Sequence, residues 1–197
     1  AWRFAQAWNC PTPLEAGVPC GTCRDCKQIE SMKHADLSIV EPTIKDPATK
    51  ELIPSPNGEI RIEQIRDLHK TINLKPFQSK YRIALFLRFH QANDNAANAL
   101  LKTLEEAPPS AILILTADNP EQLLPTIVSR CEVLRLRPLS VEEVQRELEN
   151  RGVENSRAKL IAHISGGRMG YAIRLIENDS LLRSEERRVG KECRGAC

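Results

Sequence analysis

The stretch Tyr81–Pro109, YRIALFLRFHQANDNAANALLKTLEEAPP, changes hydrophobic period part-way along. Ile83 to Leu87 is a continuous apolar run of strand length. Asn93, Asp94 and Asn95 then offer side-chain oxygens to the free N–H groups of a helix start. Ala97, Leu100, Leu101 and Leu104 follow at helical spacing until Pro108-Pro109 ends the pattern. A second apolar run, AILILTA, comes next, and a strand–helix–strand order of this kind specifies a parallel βαβ unit.

Working outward, HADLSIVEP predicts a strand over Leu37 to Glu41, closed by Pro42. Thr43 to Gly58 carries three prolines and an Asn57-Gly58 turn and reads as an exposed loop. Ile62, Ile65, Leu68 and Ile72 mark an amphipathic helix that stops before Pro76. On the other side, AILILTA is expected to be buried on both faces of a parallel sheet. Pro120 is expected to open a helix with Leu123, Leu124, Ile127 and Val128 inward, and CEVLRL (131–136) to form a last strand. Alternating strands and helices give an α/β class with a doubly wound parallel sheet flanked by helices.

After Pro138 only helical patterns remain. Ser140 and Glu143 form a capping box, Val141, Val144 and Leu148 an apolar face, and Gly152 a stop. RAKLIAHISGG and GYAIRLIEN supply two further helices. The expected organisation is therefore a core over 1–138 with a cysteine module at 10–26, a small all-α domain over 139–183, and a tail over 184–197. That tail has no apolar periodicity and looks non-native, so Cys193 and Cys197 are set aside with it.

Among 197 residues, 41% are hydrophobic but only 4% aromatic, so the core must be built from aliphatic side chains. A net charge of +2 argues neither for nor against nucleic acid. The apolar runs are too short to span a bilayer, and no signal peptide opens the chain. Clustered cysteines point to the reducing cytoplasm. The chain opens without Met, inside the helical pattern AWRFAQAW, and reads as a fragment. His34, His69, His90 and His163 are scattered and read as ordinary surface or packing residues.

Cys10, Cys20, Cys23 and Cys26 are spaced C-x9-C-x2-C-x2-C. Thiolates two residues apart reach one tetrahedral Zn²⁺, and four of them close a structural site with no open position. Disulfides, buried small residues or an iron–sulfur cluster are the competing readings. Cys131 stands apart and reads as a small buried residue in a strand.

Four segments, CPTPLEAGVPCGTCRDCKQI, NAANALLKTLEEAPP, LLPTIVSRC and LRPLS, together resemble the AAA+ subunits of the bacterial DNA polymerase III clamp loader, called gamma/tau and delta prime. The resemblance spans about residues 1–182. It implies an AAA+ P-loop-type core with a zinc-binding excursion, a helical lid, and a hetero-oligomer that uses ATP to place a ring-shaped sliding clamp on primed DNA. It further implies gamma/tau and delta subunits, the clamp and primer–template DNA as partners, a cytoplasmic, nucleoid-associated location and no membrane. The phosphate loop is expected before Ala1, and a collar-forming domain is expected beyond this chain.

Ser129 and Arg130 match the SRC motif, whose Arg reaches the ATP of a neighbouring subunit; a planar, permanently charged guanidinium suits γ-phosphate oxygens. Without the resemblance Arg130 is a cation at a helix end. Thr116 matches a polar sensor position, or is merely a β-branched strand residue.

Two departures from gamma/tau carry the finer expectation. Where a hydrolysing subunit has an acidic pair, Leu87, Arg88 and Phe89 stand, and no carboxylate follows until Asp94. Where such subunits place a nucleotide-touching Arg, Gly170 stands, with Arg168 two residues away. The expected role is a non-hydrolysing, delta prime-like subunit that supplies Arg130 in trans, with structural Zn²⁺ and with ATP only at neighbouring subunits. An active gamma/tau ATPase and a zinc-dependent nucleic-acid adaptor are the alternatives; the cysteine region mixes Arg24, Lys27 and Lys33 with Glu15, Asp25 and Glu30, so no basic stripe forms there.

Overall fold

A computed structural model describes residues 1–46, 49 and 51–185. They fall into two compact units that meet in sequence between Val133 and Leu134. In the first, β1 (Leu37–Val40), β4 (Arg82–Phe86) and β5 (Ala111–Leu115) form a parallel sheet in the order β1-β4-β5, while β2 (Thr43–Lys45) and β3 (Leu52–Pro54) pair separately and antiparallel. Strand side chains alternate between faces. Ala84 and Phe86 enter a cluster with Ile65, Leu68 and Ile72 of α3 (Ile62–Ile72) and with Ala96, Ala97 and Leu100 of α4 (Asp94–Glu106). Ile83 enters the opposite cluster with Ala5 of α1 (Trp2–Asn9) and Ile29 of α2 (Arg24–Glu30). The sheet is therefore covered by helices on both faces, and Ile83 to Phe86 are fully buried.

Several local expectations need correction. Thr43 to Gly58 is not all loop, because β2 and β3 pair through Ile44 and Ile53, and Gly58 lies so close to Thr43 that a Cβ there would meet its backbone at 2.6 Å. AILILTA is not buried on both faces; its five strand residues are half-buried, since β5 has one neighbour among the described strands. The Pro120 helix divides into a 3₁₀ turn (Pro120–Gln122) and α5 (Pro125–Val128), because Leu123 and Leu124 take extended backbone, and only Ile127 is fully buried. CEVLRL forms no strand: Leu134 and Leu136 are exposed and no ladder partner lies beside them among the described residues. Cys131 is accordingly half-buried outside any strand. On α4, Thr103 is buried while Leu101 and Leu104 are half-buried. Most of the tail, from 186 on, lies outside the described residues.

The second unit packs α6 (Val141–Asn150), α7 (Asn155–Ser165) and α8 (Met169–Glu177) around Val144, Leu148, Ile161 and Leu175. The capping box forms as expected: Ser140 N–H donates to Glu143 at 2.8 Å and Glu143 N–H donates to Ser140 Oγ at 3.1 Å. Gly167, at φ +78°, passes so near Leu139 that a Cβ would sit 2.3 Å from its carbonyl oxygen.

One buried carboxylate organises the entry to β4. Asp36, 1% exposed, accepts the backbone N–H groups of Phe77 at 2.6 Å, Gln78 at 2.9 Å and Ser79 at 3.0 Å, with Arg82 at 3.4 Å. Its neighbour His34 is also buried and accepts the Asp36 N–H on Nδ1 at 3.0 Å, so the ring proton sits on Nε2, facing Ser79 Oγ at 3.0 Å and Asp25 at 3.5 Å. Burial works to raise the Asp36 pKa, but the three N–H donors and Arg82 outweigh it and hold the carboxyl below its ordinary 3.8. A depressed carboxyl stabilises the fold fully above its unfolded value and loses that contribution as pH falls through the folded one. Asp36→Asn is expected to cost about 3 kcal/mol at pH 7 in urea unfolding. The gap to wild type should narrow on acidification below pH 3.8.

Candidate functional site

Three places carry chemistry. At the end of β4 the backbone turns sharply, and Arg88 adopts the left-handed region at φ 52°, ψ 51°. An L-residue there costs about 1–2 kcal/mol. Thr116, just after β5, holds the turn: its Oγ1 accepts from Arg88 N–H at 3.0 Å and donates to Phe86 O at 3.1 Å, while its own carbonyl accepts Phe89 N–H at 2.8 Å. Phe89 is buried edge-on against Phe86, with ring centroids 5.4 Å apart. The strand therefore ends in an aliphatic, a cationic and a buried aromatic side chain, none of them an oxygen donor for Mg²⁺. The nearby carboxylates approach from elsewhere. Asp118 stands 3.6 Å from His90, and Asp94 lines the adjoining cleft with Leu123 and Ile127. The His90–Asp118 approach joins residues far apart in sequence and left no local signature.

Ser129 and Arg130 follow α5. Ser129 Oγ donates to Thr126 O at 3.0 Å. Arg130 donates through Nε to Glu105 at 2.8 Å and through a terminal nitrogen to Thr126 O at 2.9 Å, and its side chain remains partly exposed. An exposed pair of this kind contributes about 0–1 kcal/mol, so the guanidinium is held only lightly. In the second unit Arg168 donates to Ser165 O at 3.0 Å and stacks over Tyr171, while Gly170 lies within α8.

The four cysteines come together because two helices end there. Cys10 caps the end of α1, and Cys23 is the N-cap of α2, accepting Cys26 N–H at 3.4 Å. Cys20 Sγ accepts Cys23 N–H at 3.3 Å, and Cys10 Sγ accepts Cys20 N–H at 3.4 Å. All four sulfurs lie within 4.8 Å of one another. Four thiolates around Zn²⁺ at about 2.3 Å would stand about 3.8 Å apart, so the donor set and its spacing fit that ion. Backbone N–H donation from Cys23, aided by the Thr12 hydroxyl, pulls Cys20 down to about 5. Burial pushes Cys23 up and Cys26 up to about 12. Among the described residues no other group of three or more Cys, His, Asp or Glu side chains converges in this way.

Residues 1–140 match the family described as DNA polymerase III, delta subunit. The chain belongs to that family. The DNA polymerase III subunit delta' of Bacillus subtilis is 31% identical over 185 residues, which is 93% of this chain and 51% of that protein. DNA polymerase III subunit tau of Escherichia coli is 32% identical over 147 residues, covering 75% of this chain and 20% of tau. This member of the family thus spans about half the length of its Bacillus relative. The RuvB Holliday junction branch migration motor of Thermotoga maritima shares the fold, with a TM-score of 0.51 at 18% identity over 76% of this chain and 47% of RuvB. No helix among the described residues is long and apolar enough to cross a membrane.

Purified protein is expected to hold about one zinc per chain by elemental analysis, and Cys26→Ser to lose it. After chelation, iodoacetamide at pH 6.5 should modify Cys20 before Cys26, since Cys20 ionises near 5 and Cys26 near 12. Added Zn²⁺ should protect both.

Proposed function

We propose that this chain is part of a delta prime-type subunit of the DNA polymerase III clamp loader, one that does not hydrolyse ATP itself and supplies Arg130 to a neighbouring ATPase subunit. The observation that carries the reading is the end of β4, where Leu87, left-handed Arg88 and buried Phe89 occupy the turn that in a hydrolysing subunit would present carboxylates to Mg²⁺ and water. Delta' and tau relatives are similarly identical to this chain, so the choice between them rests on that turn rather than on likeness.

Arg130 supports the second half of the reading. It is partly exposed, positioned by the short α5, and held by one surface carboxylate and the Thr126 carbonyl, so little energy opposes its reaching a polyphosphate on an adjacent subunit. Ser129 caps the same turn through Thr126 and is a positioning residue. The partners on this reading are gamma/tau and delta subunits, the sliding clamp, and primer–template DNA reached through the assembled complex, with ATP bound at the neighbours. Cys10, Cys20, Cys23 and Cys26 would hold a structural Zn²⁺, which cross-links a segment with little apolar surface of its own.

The test is ATP turnover by the full-length subunit alone, and then in the complex with partners, clamp and primed DNA. The subunit alone should be silent. Arg130→Ala should lower turnover at the partner's site by about 10³-fold, the loss expected on removing an arginine finger. Turnover by the isolated wild-type subunit would reject the reading in favour of an active gamma/tau ATPase.

A further inference from the structure

The chain has eight aromatic residues. Phe86 and Phe89 fill the core, but Phe77 is 82% exposed and Trp8 48% exposed. Tyr81 lies four residues along the chain from Phe77 and touches Trp8. Trp8 meets the Tyr81 ring edge-on with centroids 5.3 Å apart, and Lys80 Nζ lies 5.1 Å above the same ring. The segment between Phe77 and Tyr81 is fixed at both ends. The Asp36 carboxylate holds the backbone N–H groups of Phe77, Gln78 and Ser79, and the Asn9 amide both donates to Tyr81 O at 2.8 Å and accepts its N–H at 3.0 Å. An exposed aromatic on a pinned backbone loses little entropy when a partner covers it, and nothing in the core requires Phe77 to be there.

Charge selects the partner. The two segments that build the patch, residues 1–14 and 69–93, contain no Asp or Glu at all, while Lys75 and Lys80 are exposed and form no ion pair among the described residues. Of the carboxylates beside the patch, Asp36 is fully buried and already shared among three N–H groups and Arg82, and Asp25 faces buried His34 at 3.5 Å. The face thus combines planar rings with unpaired cations. Duplex DNA presents phosphates but no open base faces; a single strand presents both, and base-on-ring stacking with phosphate-to-lysine contact is the pattern that binds it.

We propose that Phe77, Tyr81 and Trp8, with Lys75 and Lys80, form a binding platform for single-stranded DNA beside the cysteine module. The site is separate from Arg130, does not depend on the delta prime reading, and is tested on this chain without partner subunits. The probe is fluorescein-labelled dT20, titrated by fluorescence anisotropy at 50 and 200 mM salt, with circular dichroism confirming that each variant is folded. Phe77→Ala is expected to weaken binding about tenfold. Lys75→Ala with Lys80→Ala should reduce the slope of log affinity against log salt by about 1.4, two phosphates at about 0.7 each for a single strand. A 20-base-pair duplex should bind more weakly than dT20 and be insensitive to Phe77→Ala. The proposal is overturned if dT20 does not bind, or if folded Phe77→Ala binds it as tightly as wild type. Competition by poly-glutamate that equals dT20 and is likewise lost in Phe77→Ala would also overturn it, and would assign the face to an acidic protein partner instead.

Discussion

The buried carboxylate of Asp36 is the contact on which the first unit depends. It stands just before β1, yet its hydrogen bonds go to the turn that leads into β4, so it joins two neighbouring parallel strands at their starting ends. A charge removed from water would be costly without compensation, and three N–H donors with a guanidinium supply it. His34 extends the arrangement to α2 through Asp25, and Gln28 of that helix accepts from Gln78 at 2.9 Å. The cysteine module is thereby fastened to the sheet by polar contacts, with Ile29 and Ala5 providing the apolar part.

Within that module the sulfurs differ electrostatically. Half-buried Cys20 takes N–H donors that lower it, whereas Cys23 and Cys26 are pushed the other way by burial. A divalent ion would remove the contrast by stabilising every thiolate, so the fold of this segment and its metal would be coupled. Four sulfurs within reach of one another, but not all ionised at neutral pH, are an arrangement that a cation completes.

Much of this was legible in the sequence, for identifiable reasons. Periodicity located β4, α3 and α4, because each has a strong apolar pattern and a clear stop, and Asn93 acts as the cap it was expected to be. The cysteine spacing indicated the cluster because two-residue intervals leave few other geometries. CEVLRL misled because an apolar run states a preference for a sheet without stating which strand will pair with it. AILILTA misled for the related reason that burial depends on how many neighbours a strand has. His34 and Asp36 were invisible, since a satisfied buried network joins residues more than forty positions apart and leaves no local pattern. The exposed patch around Phe77 was missed because its parts, near Trp8 and near Tyr81, adjoin only in three dimensions.

The left-handed turn at Arg88 has a bearing on how the β4 end came to be as it is. Aspartate and asparagine enter that region of backbone space more readily than arginine does. The conformation therefore suits an acid better than the arginine that stands there, and the Thr116 clasp, made through main-chain atoms of residues 86, 88 and 89, makes no demand on the side chain at 88. Folding does not require a cation there. The scaffold is geometrically tolerant of an acid at this turn, so the side chain at 88 could be exchanged for a carboxylate without moving the backbone that carries it.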